Sequence, residues 1–204
     1  MVENAALPVP KLYEVIKYEN KMAIIMELIE GITMRDQMLK DMANIESYLE
    51  RIVDLQITIH NRTGLGLPRM EDRLRRNITV TSLLNAEQKA NLVKALDLIE
   101  VGNSLCHGDY HFLNLMVAGD KITVIDWVDA TCGSPEADLC RSYLLYYIHA
   151  PAGFADRYLE VYCRKTGMDR ERVLQWLPIN AGARLSVKNE AEKEQLLRWV
   201  ESGE

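Results

Sequence analysis

The chain has 204 residues, of which 48% are hydrophobic and 26% are charged, and its formal net charge is −6. This composition is typical of a folded globular protein and excludes an intrinsically disordered one. The acidic balance argues against nucleic acid as the main partner, and the sequence holds no run of 18 apolar residues that could cross a membrane.

The N-terminus and the cysteines both predict a cytoplasmic protein. Residues 1–4 lack the basic start and apolar run of a signal peptide. The cysteines follow no CxxC spacing, so we expect reduced thiols rather than disulfides or a zinc site. They are Cys106, Cys132, Cys140 and Cys163.

The first elements in chain order are a predicted β-hairpin and a short helix. Residues 12–18 alternate apolar and polar side chains, and residues 22–29 are apolar and partly β-branched. A tight turn at residues 19–21 would join them, and we expect the second strand to be the more buried. Thr33 is expected to cap a helix that begins near Met34.

Helices dominate the rest of the chain. Apolar residues at helical spacing predict helices over residues 44–60 and 86–100, with a loop at 61–68. Apolar segments at 115–118 and 122–125 flank Gly119-Asp120, which predicts a second hairpin, and a loop follows to residue 135. Four further helices are expected at residues 136–149, 154–167, 170–183 and 189–201.

Three oxygen-bearing side chains lie at the ends of these short strands and in the loops between them. They are Asp109, Asn114 and Asp126. Carboxylate and amide oxygens suit Mg²⁺, which proteins usually bind through one or two carboxylates and the phosphates of a substrate. Phosphoryl transfer to a hydroxyl needs such a metal and a carboxylate that accepts the proton, and this spacing supplies both.

The sequence around these residues resembles the aminoglycoside phosphotransferase and choline kinase-like family, relatives of the protein kinases. The family pattern H-G-D-x-x-x-x-N matches the segment from His107 to Asn114, and the metal-binding I-D-W matches the segment centred on Asp126. The resemblance implies an α+β, protein kinase-like fold. Residues 1–32 would be a remnant of the N-terminal lobe with hairpin and hinge, and residues 33–204 the mainly helical catalytic lobe.

The resemblance also implies roles for individual residues. Asp109 would be the catalytic base, and Asn114 and Asp126 would bind Mg²⁺. Three residues would support the loop, namely His107, His111 and Asp138, although Asp138 also reads as an ordinary helix-terminal carboxylate. Hinge backbone groups at Glu27, Leu28 and Ile29 would contact adenine, and ATP or GTP would be the phosphoryl donor.

Two departures from the family pattern affect the expected activity. Phe112-Leu113 replaces the usual Pro-Gly before Asn114, and the glycine-rich strand and phosphate-binding lysine of the N-terminal lobe are missing. The expected function is therefore phosphorylation of a hydroxyl on a small molecule, aminoglycoside-like or an amino-alcohol, impaired by the truncated lobe. The acidic charge would suit a cationic acceptor, and the uncovered strand edge predicts a homodimer.

Two other functions fit the same residues. A kinase-like remnant could bind a ligand or partner without turnover. A metal-dependent hydrolase could use His107, Asp109 and His111 as an H-x-D-x-H cluster, because alternation on a strand would place all three on one face. The acidic run at Glu190, Glu192 and Glu194 is expected to be a solvated helix face, with a contribution to an acceptor pocket as the alternative.

Overall fold

The computed structural model describes residues 6–187 and 189–202, with strands and helices as expected for an α+β chain. Residues 1–4, on which the signal-peptide prediction rests, lie outside the described residues. The strands are β1 (Leu12–Tyr18), β2 (Lys21–Met26), β3 (Ile32–Thr33), β4 (Ser104–Cys106), β5 (Leu115–Ala118), β6 (Lys121–Val124) and β7 (Thr131–Gly133). The helices are α1 (Met34–Lys40), α2 (Ile45–His60), α3 (Met70–Val80), α4 (Ala86–Leu98), α5 (Pro135–His149), α6 (Phe154–Thr166), α7 (Arg170–Leu174), α8 (Leu177–Arg184) and α9 (Glu190–Ser202). Within the described ranges, none of these helices combines the length and apolar character needed to span a bilayer.

The chain forms two compact units. The first unit contains the described residues up to Ile52 together with His111–Val128. The second contains Val53–Tyr110 and the described residues from Asp129 onward. The lobe boundary expected after residue 32 stays a prediction.

The first unit contains a two-stranded hairpin and a small antiparallel sheet. β1 pairs with β2, and the sheet has the strand order β3-β5-β6. The expectation that β2 is the more buried strand is wrong, since Ile24 is 51% exposed and Met26 is 46% exposed. No third strand pairs with β1 or β2 among the described residues, so the hairpin is not extended into a larger sheet there.

The start of α1 and the turn between β5 and β6 form as the sequence predicts. The hydroxyl of Thr33 accepts a hydrogen bond from the backbone N–H of Asp36 at 3.1 Å, which caps α1. Gly119 takes a φ of +58° in the turn between β5 and β6, a conformation that glycine adopts without strain. This hairpin carries the two residues expected to bind metal at its open end.

The second unit is helical and is built around α5. Leu139 and Leu144 of α5 are fully buried, and α5 packs against α6 and α8, where Tyr158 and Ile179 are also buried. Burying these apolar side chains supplies the main stabilisation of the unit, at about 25 cal/mol per Å² removed from water. The short antiparallel pair of β4 and β7 lies against this helical core.

Helix α3 was not predicted from the sequence. Only Met70, Leu74 and Ile78 are buried in it, at a spacing of four residues. The remaining positions are mostly charged or polar, so the average hydrophobicity of the segment is low and conceals its narrow apolar stripe.

The single helix expected over residues 170–183 is two helices. α7 ends at Leu174, and α8 begins at Leu177 with Pro178 in its first turn. A proline has no N–H to donate, and its ring would clash with the carbonyl group four residues earlier, at Leu174. The helix therefore cannot continue through this position.

Glu192 is not part of a solvated face. Glu190 and Glu194 are exposed, but Glu192 is fully buried. Its carboxylate accepts two hydrogen bonds from Arg184, at 2.7 and 2.9 Å, and lies 2.8 Å from Nε2 of His149. Burial opposes ionisation of Glu192, but these partners outweigh it and lower its pKa to about 2. These ionic and hydrogen-bonding partners offset the desolvation free energy of the buried Glu192 charge.

Candidate active site

In the second unit, the segment that follows β4 turns sharply at Gly108. β4 pairs with β7, with Leu105 opposite Cys132, and ends at Cys106. Gly108 then has a φ of +82°, which residues with a side chain rarely adopt. A Cβ atom here would overlap the carbonyl oxygen of Asp129, so the turn requires glycine on two grounds. The turn carries Asp109 away from the strand.

The two requirements at Gly108 can be separated by mutation. Gly108 and Gly167 have similar φ angles, +82° and +74°, so an alanine at either position costs about 1 kcal/mol of backbone strain. An added Cβ meets no atom within 4 Å at Gly167 but overlaps Asp129 at Gly108. We expect Gly108→Ala to lower the thermal midpoint clearly more than Gly167→Ala. Equal shifts in thermal denaturation would contradict the crowding at Gly108.

Asp138 of α5 holds this turn from the buried side. Its carboxylate accepts hydrogen bonds from the backbone N–H groups of His107, at 3.1 Å, and Gly108, at 2.7 Å. Nε2 of His60 lies 2.9 Å from the same carboxylate, and Nδ1 of His60 lies 2.6 Å from the hydroxyl of Tyr162. Burial would raise the pKa of Asp138, but the His60 contact, the neighbouring His107 and the bond from Gly108 outweigh it and lower the pKa. Asp138 therefore holds the turn as a carboxylate.

Asp109 is partly exposed beside a guanidinium that is itself largely but not fully buried. Its backbone N–H donates to Nδ1 of His107 at 3.2 Å, which ties the residue to the turn. Nη2 of Arg141 lies 3.3 Å from its carboxylate, and Nε of Arg141 donates to the carbonyl oxygen of Gly108 at 3.4 Å. The Asp109 side chain is 24% exposed, so a hydroxyl group could reach the carboxylate.

Arg141, which contacts the carboxylate of Asp109, was not predicted from the sequence as a site residue. The available signal was its position three residues after Asp138 on the same helix, because residues at i and i+3 lie on one helix face. Burial and the charge of Arg184 lower the pKa of Arg141 to about 10, although the charges of Asp109, Glu192 and Asp129 act in the opposite direction. Arg141 is therefore charged at neutral pH.

The first unit brings Asn114 and Asp126 together at the open end of the hairpin formed by β5 and β6. The backbone N–H of Ile125 donates to the carbonyl oxygen of Asn114 at 2.9 Å, which continues the pairing of Leu115 with Val124. Asn114 is buried and Asp126 is exposed. The two residues expected to bind metal are thus neighbours across a strand pair.

Asp126 has an unusual backbone conformation. Its φ is +60°, in the left-handed region that residues other than glycine seldom occupy, although aspartate tolerates it better than most. Such conformations persist where the surrounding structure holds them, and they concentrate at functional sites. The conformation is consistent with a constraint on where the Asp126 carboxylate is placed.

His111 positions Asn114 through local contacts. The backbone N–H of Asn114 donates to the carbonyl oxygen of His111 at 2.9 Å, and Nδ2 of Asn114 lies 3.4 Å from Nε2 of the His111 ring. Nδ1 of the same ring accepts from the N–H of Leu113 at 3.2 Å, so Nε2 carries the hydrogen and its approach to Nδ2 of Asn114 is a contact rather than a hydrogen bond. The loop with Phe112-Leu113 in place of Pro-Gly is therefore held by the histidine ring.

The oxygen donors of the first unit fit Mg²⁺. Asn114 and Asp126 offer one amide oxygen and one carboxylate from adjacent strand ends. Magnesium prefers oxygen ligands and usually completes its shell with water and substrate phosphates, so two protein ligands suffice. A softer metal would require sulfur or more imidazole ligands.

The three hinge residues follow β2 in an extended segment. The backbone N–H of Glu27 donates to the carbonyl oxygen of Lys11 at 2.8 Å, and its carboxylate accepts from the N–H of Lys11 at 3.0 Å. Leu28 is 85% exposed. Since the N–H of Glu27 is engaged within the hairpin, Leu28 and Ile29 are the better candidates for contacting a nucleotide base.

The strand geometry required for an H-x-D-x-H cluster is absent. β4 ends at Cys106, and the positive φ of Gly108 breaks any alternation of side chains between His107 and His111. The hydrolase alternative therefore loses the arrangement on which it depended.

Comparison with sequence families finds one that matches most of the chain. Residues 2–174 match the family described as the phosphotransferase enzyme family. No curated protein gives a significant match.

Several solved structures share the fold at low sequence identity. LicA in complex with AMP is 15% identical, with a TM-score of 0.69 over 98% of this chain and 75% of that chain. A thermostable mutant of aminoglycoside phosphotransferase APH(4)-Ia, in a ternary complex with AMP-PNP and hygromycin B, is 17% identical, with a TM-score of 0.67 over 98% of this chain and 78% of that chain. Aminoglycoside phosphotransferase APH(3'')-Id from Streptomyces rimosus, in complex with ADP and streptomycin, is 17% identical, with a TM-score of 0.63 over 92% and 79%. These similarities confirm the expected α+β, kinase-like fold class.

Proposed function

The chain belongs to the phosphotransferase enzyme family, and we propose that it transfers the γ-phosphoryl group of ATP or GTP to a hydroxyl of a small molecule. The observation that supports this most directly is the placement of Asp109. It is partly exposed on a glycine turn, and the buried carboxylate of Asp138 fixes the backbone of that turn. A carboxylate held in this way can orient a hydroxyl and accept its proton.

In the proposed reaction the acceptor hydroxyl attacks the γ-phosphorus of the nucleotide. A bond forms between the acceptor oxygen and phosphorus, and the bond from phosphorus to the bridging β–γ oxygen breaks, with its electron pair leaving on the nucleoside diphosphate. The hydroxyl proton passes to the carboxylate of Asp109. Arg141, 3.3 Å from that carboxylate, would hold it in place before the proton arrives.

Asn114 and Asp126 are proposed to hold Mg²⁺, which when bound would neutralise charge on the nucleotide phosphates. His107 and His111 are proposed to fix the loop backbone on either side of Asp109, as their contacts with Asp109 and Asn114 suggest. The hinge is proposed to contact adenine. Nucleotides bound to APH(4)-Ia, APH(3'')-Id and LicA support a nucleotide donor.

The proposal extends to assembly and location. A homodimer through the hairpin edge is supported by exposed apolar side chains on β1 and β2, including Val15 at 51% and Met22 at 69% exposure. We propose a cytoplasmic location, where the donor nucleotide is available.

Phosphoryl transfer can be measured directly. The chain is incubated with γ-labelled ATP or GTP, Mg²⁺ and a panel of aminoglycosides, amino-alcohols and sugar acids. We expect label in one acceptor class, and loss of transfer when EDTA removes the metal. The same assay measures whether turnover is as slow as expected without a glycine-rich turn. If the chain binds AMP-PNP in a separate measurement but transfers no label to any acceptor, the proposal is overturned for this chain.

Ligand binding without turnover is the second candidate function. It is favoured by the contact between Arg141 and Asp109, because a guanidinium beside the carboxylate opposes its protonation. Under this alternative, wild type and Asp109→Asn would bind AMP-PNP equally and both would lack transfer.

A further inference from the structure

The second unit contains an open pocket next to the Gly108 turn. Its cationic lining comes from three different helices, with one arginine each from α3, α5 and α8. These are Arg73, Arg141 and Arg184. The remaining wall contains apolar and amide side chains and two carboxylates, among them Met70, Leu74, Asn180, Asp129 and Asp138.

The three arginines differ in how well their charge is neutralised. Arg73 forms an ion pair with Asp129, and Arg184 forms two short hydrogen bonds with the buried Glu192. Among the residues that the structure describes, the polar contacts of Arg141 are two long ones, to Gly108 at 3.4 Å and to Asp109 at 3.3 Å, whereas charge-assisted bonds are normally about 2.7–2.9 Å. A guanidinium has five N–H donors, so Arg141 keeps donor capacity that its protein contacts do not use.

Arg141 and Arg184 also repel each other. The charge of Arg184 is, after burial, the strongest influence that lowers the pKa of Arg141. Two neighbouring cations at a partly desolvated pocket favour an anion between them, because the anion relieves the repulsion and occupies the remaining donors.

We propose that this pocket receives the acceptor of the phosphoryl transfer and that the acceptor carries an anionic oxygen group, a carboxylate or a phosphate, held by Arg141 and Arg184. The inference rests on the proposed function for the identity of the pocket as the acceptor site. It replaces the expectation of a cationic acceptor with an anionic one that pairs with Arg141 and Arg184. The contact of Arg141 with Asp109 connects the bound anion to the residue that would accept the proton.

A set of ligands with one carbon skeleton tests the charge preference. Glucose, gluconate, glucose 6-phosphate and glucosamine differ in carrying no charge, a carboxylate, a phosphate or an ammonium group. Binding is measured by calorimetry and by the shift in thermal midpoint, without nucleotide. We expect gluconate or glucose 6-phosphate to bind at least about 10-fold more tightly than glucose and glucosamine. Which of the two binds more tightly identifies the anionic group.

Variants assign the binding to the pocket. Arg141→Gln should weaken binding of the anionic ligand about 10-fold or more. Arg141→Lys should retain only part of the wild-type affinity, since lysine keeps the positive charge but lacks the planar guanidinium that can donate two parallel hydrogen bonds. Arg184→Gln is paired with the double variant Arg184→Gln/Glu192→Gln, which leaves no buried charge unpaired. Arg75→Gln is the control, because Arg75 lies on α3 but pairs with the exposed Asp97. Arg75→Gln should bind the anionic ligand as tightly as wild type.

The outcomes separate this inference from the proposed function. Equal or tighter binding of glucosamine or glucose, or an Arg75→Gln effect equal to that of Arg141→Gln, would overturn the inference. Displacement of the anionic ligand by AMP-PNP would assign the arginines to the nucleotide and would also overturn it. Anion binding that depends on Arg141, without phosphoryl transfer to any acceptor, would support the anion-binding pocket while the proposed function fails.

Discussion

Asp109→Asn is expected to reduce phosphoryl transfer by about 10²–10⁴-fold, the usual contribution of a general base. An amide has nearly the same shape as the carboxylate, but it cannot accept the proton of the acceptor hydroxyl. The backbone N–H of residue 109 would still donate to His107, so the turn itself should be unchanged. Steady-state kinetics gives the rate, while AMP-PNP affinity and the thermal midpoint should remain close to wild type.

Asp120→Asn is the matched control for that substitution. Asp120 lies in the exposed turn between β5 and β6, where its backbone carbonyl, rather than its side chain, accepts a hydrogen bond from Arg51 at 2.7 Å. The control removes the same charge and should leave transfer unchanged. If Asp109→Asn retained activity within about threefold of wild type, the base would have to be another group.

Much of the fold could be predicted because local patterns agree with the packing. Helix α2 has apolar residues at helical spacing over its whole length, and the expected start and end lie within a residue of those observed. The capping hydroxyl of Thr33 and the turn at Gly119 depend only on neighbouring residues, so they too follow from the sequence.

Two of the failures concern contacts between distant segments. Burial of Glu192 depends on Arg184 and His149, and the latter lies 43 residues away in the chain. The pocket arginines come from three helices that only the packing of α3, α5 and α8 brings together. No periodicity within one segment indicates how these helices pack. Arg73 was missed in addition because the weak apolar stripe of α3 left that helix unpredicted.

In the candidate site, too, residues that are close in sequence could be predicted and distant ones could not. The catalytic and metal-binding motifs were recognisable because their residues lie close in sequence. Arg141, which contacts the carboxylate of Asp109, lies 32 residues later. Motif recognition thus predicts the class of reaction, whereas the acceptor charge that we propose depends on side chains outside the motif.

Asp138→Asn is expected to destabilise the protein by about 3 kcal/mol, as breaking a buried ionic contact does. The carboxylate accepts N–H bonds on both oxygens, from His107 and His60 on one and from Gly108 on the other. An amide must place its NH₂ group against one of these donors. Chemical denaturation measures the loss of unfolding free energy. Glu136→Gln is the control, because Glu136 lies in the same helix turn but pairs with the exposed Arg172. This substitution should lower the unfolding free energy by less than about 1 kcal/mol.

The pH dependence distinguishes loss of this charge from loss of shape. Because the pKa of Asp138 is lower in the folded protein than its usual 3.8, its contribution is fully present well above pH 3.8 and is lost as the pH falls through the folded value. Asparagine does not titrate, so the difference in unfolding free energy between wild type and Asp138→Asn should be constant near neutral pH and shrink below about pH 4. A difference that stayed constant down to pH 3 would show that the amide disturbs packing rather than charge. In that case the turn carrying Asp109 would depend on the fit of the side chain at position 138 and not on its ionisation.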